Sequence, residues 1–219
     1  MDRKKLVIIG AGGFAREVRM LAADITAQPG AETGYEFIGY LVSDPASAGP
    51  CDSAEEILGD FSWLTDHVDQ WDCLAMGIGN AAPRLKVADE LEAVHGPEFW
   101  PALVHPAAHF DQGSCQVGHG VQICANVIGT VNLVFEPFAM VNLSCTIGHE
   151  AVLKRACTLN PSVNISGGVT VGRGVLVGTG AQVLQYLEIG DGSIVGAGAL
   201  VTKSLPAGVT AVGMPAKAR

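Results

Sequence analysis

The chain has 219 residues, 48% of them hydrophobic and 16% charged, with 28 glycines and a formal net charge of −9. That length buries one sizeable core or two modest ones. The acidic balance excludes non-specific binding to nucleic acid or to an anionic membrane, both of which need a basic face.

The start, "MDRKKLVIIGAGGFARE", has the basic-then-apolar order of a signal peptide, but its apolar run is short, broken by glycines and followed at once by Arg16-Glu17. It reads instead as a first strand entering a helix, "KLVIIG" then "GFAREVRMLAADI". "YEFIGYLVSD" reads as a second strand, "SAEEILGDFSWL" as a helix and "DCLAMGIG" as a third strand. "PRLKVADELEAV" is a helix with Pro83 near its start, where a missing N–H costs little. Strands alternating with helices predict a parallel sheet with helices on its faces, and "EFWPALVHP" reads as the last strand leading out of this unit. No stretch of about 20 uninterrupted apolar residues exists, so no transmembrane span is expected. Six single cysteines without a C-x-x-C pair (Cys51, Cys73, Cys115, Cys124, Cys145, Cys157) read as small core fillers in a reducing cytoplasm.

From Val117 the rhythm changes. Every sixth residue from Val117 to Val201 gives fifteen positions, fourteen of them apolar, with Gly129 the exception. The positions four further on, from Val121 and Val127 to Leu205, are small or apolar as well. Neither the helical period nor simple alternation produces a period of six over so long a stretch; internal repetition does. A repeat this short is one flat face of a solenoid. Three faces close a coil, and the inward residue of each hexad stacks on its counterpart about 4.8 Å along the axis. The fold class is thus a small Rossmann-like α/β unit, residues 1–104, followed by a parallel β-helix, residues 105–219, with a short tail.

The hexads "IGHEAV", "VGRGVLVGTGAQV" and "IGDGSIVGAGALVTKSLPAGVTAVGMPAKAR" resemble the hexapeptide-repeat acyltransferases. That resemblance implies a left-handed β-helix, a hand that the period alone does not fix. The ordered landmarks "IIGAGGFARE", "GIGNAAPR", "LVHPAA", "NLSCTIGHE", "LNPSVNISG" and "VGMPAK" run nearly end to end. They are similar to one bacterial branch, the nucleotide-4-amino-sugar N-acetyltransferases and sialic acid O-acetyltransferase-like proteins.

Acyl transfer from a thioester needs an acceptor with a free lone pair and a stabilised oxyanion, and a base titrating near neutrality suits it. The resemblance implies that His149 is that base and that Glu150 raises its basicity and fixes its tautomer, with no covalent enzyme intermediate. Adjacent residues of a flat strand point to opposite faces, so the pair meets only at a coil corner. The resemblance adds Asn142, placing the acceptor, and Gly167, presenting a backbone N–H to the thioester carbonyl. Thr179 and Ala197 would line the pantetheine arm of acetyl-CoA, the co-substrate; Lys203, Lys217 and Arg219 read either as contacts for its phosphates or as ordinary surface charges. Where relatives often carry a second His that contacts acetyl-CoA, nine residues after the base, this chain has Thr158, which the resemblance places among the acetyl-CoA-binding residues.

"GAGGFA" fits G-x-G-x-x-[G/A] between strand and helix, a place for phosphate at a helix N-terminus. A nicotinamide dehydrogenase would add an acidic residue about 20 positions on, and Asp44 comes later than that. The resemblance instead implies a nucleotide-sugar site at Gly12, Gly13, Asp44, Gly79 and Asn80, with Phe14 where some relatives carry His. His105 and His109 are expected to be structural. A zinc-dependent β-helix enzyme needs three His, and residues 117–206 hold His119 and His149 alone, so no metal is expected. The implied reaction is acetylation of the amine of a nucleotide-linked 4-amino-4,6-dideoxy sugar for surface glycans, by a cytoplasmic homotrimer. A hydroxyl acceptor and a non-catalytic nucleotide-sugar-binding protein are the alternatives. The residues leave open UDP, GDP or dTDP and the sugar epimer.

Overall fold

The computed structural model describes residues 3–44, 49 and 51–219. The first unit is a parallel four-stranded sheet: β1 (Arg3–Ile9), β2 (Gly34–Leu41), β3 (Ile57–Gly59) and β4 (Cys73–Met76), in the order β3-β2-β1-β4. Leu6, Val7, Ile8 and Ile9 are fully buried, as a central parallel strand covered on both faces requires. Helix α1 (Gly13–Ala27) buries Ala15, Val18 and Ala22 at helical spacing, and α3 (Ala81–His95) buries Ala81, Ala88 and Leu91.

Two expectations are corrected here. The segment "SAEEILGDFSWL" is not one helix: it is a short 3-10 turn (Ala54–Glu56), then β3, then the four-residue helix α2 (Trp63–Asp66). Gly59, at φ 146°, breaks the helical path, and Ile57 pairs with Tyr40 to extend the sheet. The segment "EFWPALVHP" does not end the first sheet either. Its strand β5 (Leu103–Val104) pairs in parallel with Gln122–Ile123 and so starts one face of the β-helix.

The β-helix follows the hexad register. Fifteen two-residue strands run from Gln116–Val117 to Leu200–Val201 among the described residues, each pairing in parallel with the strand 18 residues away, as Ile147 does with Ile165. The second residue of each strand is the apolar hexad position, and from Phe135 to Val201 these side chains are at most 2% exposed. Val117, in an edge strand at the open first coil, is 36% exposed. The strands form three faces, and two-residue corners join them. The second corner residue takes a left-handed φ near 60°, as at Asn126, Ser144, Glu150 and Gly168. Strands Thr210–Val212 and Lys217–Ala218 close the last coil as an antiparallel pair.

The first unit leans on the face that contains β5. Gln122, 1% exposed, donates from Nε2 to the Met76 carbonyl at 2.8 Å. Trp100 packs edge-on to Phe138 with centroids 4.9 Å apart. One corner of the prism carries His119, Phe138, Arg155 and Arg173, and α3 answers it with carboxylates. Arg155 binds Asp89 at 2.9 Å and also Glu92, His119 Nε2 lies 2.6 Å from Glu92, and Arg173 binds Asp89. No helix among the described residues is long and apolar enough to cross a membrane.

Candidate active site

His149 and Glu150 occupy a corner, immediately after the strand Thr146–Ile147. The left-handed backbone at Glu150 (φ 60°) turns the two side chains to one side, which a flat strand would forbid. Nδ1 of His149 lies 3.7 Å from Oε2 of Glu150, and both side chains are more than half exposed. This is an open pair, too far apart for a hydrogen bond.

Gly167 sits one coil above His149, and the imidazole lies against it. A Cβ built on Gly167 would stand 2.5 Å from His149 Nε2 and 2.6 Å from Cε1. The Gly167 N–H has no acceptor among the described residues. The glycine therefore seats the ring and leaves a free donor beside Nε2. Gly167 does not need a left-handed φ, so alanine suits its backbone, and the nearest atoms in its way belong to the ring. Gly167→Ala is expected to fold normally and to lower kcat at least about tenfold, because displacing a reacting group by about 1 Å costs up to 100-fold. Thermal unfolding beside steady-state kinetics checks both halves.

The remaining β-helix candidates divide between edges. Thr179 and Ala197 are exposed on another corner, in the column of Leu143, next to Asn142. That corner stands across one face from His149, roughly 16 Å for five extended residues. Asn142 is 7% exposed, accepts the Leu143 N–H at Oδ1 (2.8 Å), and borders a pocket of about 120 Å³ walled by Met20, Leu21, Cys124 and Leu143. The structure thus does not bring Asn142 to His149 within one chain. Thr158 is also corrected: it is 0% exposed on the face that the first unit covers, so no acetyl-CoA atom reaches its hydroxyl in this conformation. Lys203 follows the last strand of the face that ends at the His149 edge, whereas Lys217 lies in the closing strand pair; both, like Arg219, are exposed.

The nucleotide-sugar candidates do converge. In the order β3-β2-β1-β4 the loops after β1 and β4 adjoin, carrying Gly12, Gly13, Gly79 and Asn80; Asp44 follows β2, the strand beside β1. Gly77 N–H donates to Ile9 O at 2.7 Å, and Gly79 abuts Phe14. Sequence reasoning missed two residues here. Asp52 accepts the Gly12 N–H at 3.1 Å and pairs with Arg16, so a carboxylate stands at the anion-seeking entrance of α1. Arg84, fully buried, rests over the Phe14 ring at 5.3 Å, and burial pulls its pKa down to about 10. Its place three residues into α3, on the buried face, was the one available signal.

His105 is structural in its contacts. Its Nδ1 accepts the Ala107 N–H at 2.9 Å, so Nε2 carries the proton toward Asp24 at 3.3 Å. No group of three metal-ligating side chains occurs among the described residues, and His119 and His149 sit on different corners.

Residues 5–91 match the family model described as the PglD N-terminal domain. The whole architecture is similar to PerB from Caulobacter crescentus, solved with CoA and GDP-perosamine. The identity is 30% and the TM-score 0.80, covering 98% of this chain and 97% of that one.

The chain belongs to the hexapeptide-repeat sugar acetyltransferases.

Two further structures agree over their full lengths. The acetyltransferase domain of PglB from Neisseria gonorrhoeae, in complex with acetyl coenzyme A, is 27% identical with a TM-score of 0.83, covering 100% of both chains. WeeI from Acinetobacter baumannii is 26% identical with a TM-score of 0.77, again over 100% of both. No curated protein matches significantly in sequence. The β-helix of this acetyltransferase is of the left-handed class.

Proposed function

We propose that the protein transfers the acetyl group of acetyl-CoA to the amine of a nucleotide-linked 4-amino-4,6-dideoxy sugar, in the cytoplasm, for surface-glycan synthesis. The observation that carries this reading is the exposed His149 imidazole lying on Gly167 beside an unpaired backbone N–H. The likeness to PerB, bound to CoA and GDP-perosamine, supplies the substrate class.

In this reading His149 Nε2 takes the proton of the attacking amine as the C–N bond forms. The thioester carbonyl becomes an oxyanion that the Gly167 N–H stabilises. Collapse breaks the C–S bond, and the imidazolium returns its proton to the departing thiolate. Glu150, at 3.7 Å, is the carboxylate nearest the ring throughout. The nucleotide lies across the loops of residues 1–104, on Gly12, Gly13, Asp44, Gly79 and Asn80. The pantetheine arm follows Thr179 and Ala197, and the CoA phosphates meet Lys203, Lys217 and Arg219.

Because Asn142, Thr179 and Ala197 stand on a different edge from His149, one chain does not assemble this set. A second copy that sets its own edge against the His149 edge does, and a homotrimer closes the arrangement three times. The test is thiol release from acetyl-CoA with GDP-, UDP- and dTDP-linked 4-amino-4,6-dideoxy sugars, each beside its 4-hydroxy counterpart. Turnover confined to one amino sugar is expected. Turnover of the hydroxyl compounds alone makes this an O-acetyltransferase, and no thioester consumption with any acceptor overturns the enzymatic reading.

A further inference from the structure

We propose that Tyr186 is a positioning residue for the His149 imidazole, a role that rests on the reading of His149 as the base. Tyr186 occupies the second position of the same prism corner, two coils above Glu150, with φ 57°. Bulky side chains rarely take that backbone conformation. Phe138 is the other aromatic residue at such a corner among the described residues. It is buried against Trp100 and Arg155, so docking of the first unit accounts for it. Tyr186 has no such cover and is 69% exposed.

What Tyr186 does touch is the catalytic corner. A Cβ on Gly168 would stand 2.3 Å from Tyr186 Cδ1 and 2.6 Å from Cε1, so the ring folds down over that glycine. The His149 ring folds up over the neighbouring Gly167. The two rings meet with centroids 6.5 Å apart and planes at 61°, within the range of edge-to-face aromatic pairs. Two adjacent glycines thus form one seat for two rings, one from the coil below and one from the coil above. The phenol ring closes the side of the seat toward the last coils and limits the imidazole to orientations that keep Nε2 beside the Gly167 N–H. The contact is made by the ring carbons, so the hydroxyl is dispensable to it.

The test compares Tyr186→Ala and Tyr186→Phe with the wild type, with the acceptor taken from the panel above. For Tyr186→Ala a fall in kcat of about tenfold is expected, with the KM for acetyl-CoA within about twofold, because a freed imidazole loses orientation without losing the thioester site. Tyr186→Phe restores kcat. In parallel, the His149 ring protons are observed by NMR in the protein alone. Their ring-current shift is expected to vanish in Tyr186→Ala and to persist in Tyr186→Phe. Unchanged kcat in Tyr186→Ala, or His149 signals identical to wild type, overturns the proposal. If the wild type turns over no acceptor, the enzymatic reading fails, and the NMR comparison still decides whether Tyr186 confines the ring.

Discussion

His149→Ala is expected to lower kcat by about 10²–10⁴-fold, the usual contribution of a positioned general base. The KM for acetyl-CoA should move little, because the imidazole lies on Gly167 and leaves the edge bearing Thr179 and Ala197 untouched. The fold should not change: the side chain is about half exposed, and its backbone carbonyl still accepts the Gly168 N–H at 2.7 Å. Steady-state kinetics with the preferred acceptor, beside a thermal melt, reads both. A mutant with wild-type kcat removes His149 from the chemistry. His149→Asn separates shape from basicity: it fills part of the seat without a titratable nitrogen and is expected to be as inactive as alanine.

The largest expected effect on stability is at Phe138. Its ring is fully buried, with Trp100 on one side, the Arg155 guanidinium 4.9 Å from its centroid and the His119 ring perpendicular to it with centroids 5.4 Å apart. Phe138→Ala is expected to cost about 3–5 kcal/mol, the range for deleting a buried aromatic ring. The loss falls on the seam between the first sheet and the prism, where the ion pairs of Asp89 and Glu92 with Arg155 and Arg173 converge. Denaturant unfolding followed by tryptophan fluorescence, which Trp63, Trp71 and Trp100 all supply from the first unit and its seam, should therefore show an early transition that far-UV circular dichroism of the β-helix does not share. A single coincident transition at the wild-type midpoint would show that the seam does not depend on this ring.

Much of the prism was legible in the sequence because its core obeys one strict period. The inward residue of each strand, from Phe135 through Leu153 to Val201, falls on the hexad position that the six-residue period marks. The corner location of His149 follows from the same count, two residues past the inward Ile147. The loop of Gly12 and Gly13 was legible from glycines placed directly after an apolar strand, whereas Gly79 and Asn80 were expected only through the family resemblance.

Outward-facing residues were not legible, because no period governs them. Thr158 and Arg84 are buried because two parts of the chain distant in sequence close over them, and local pattern does not encode that closure. Tyr186 was missed because its partners are 18 and 37 residues away in sequence, linked through corner stacking. The helix expected over Ser53–Leu64 gave way to β3, where the edge of the sheet outweighed local helical preference.

A solenoid wall of this kind behaves as a ruler. The imidazole of His149 and the ammonium of Lys203 are separated along the axis by three turns of chain, 149 to 167 to 185 to 203. Each turn advances about 4.8 Å, so the gap is roughly 14 Å. That span is set by the number of turns and by nothing local to either end. Adding or removing one whole turn would lengthen or shorten the measure by a single graduation while leaving both marks intact, so reach along the groove is a quantity such a chain changes by counting.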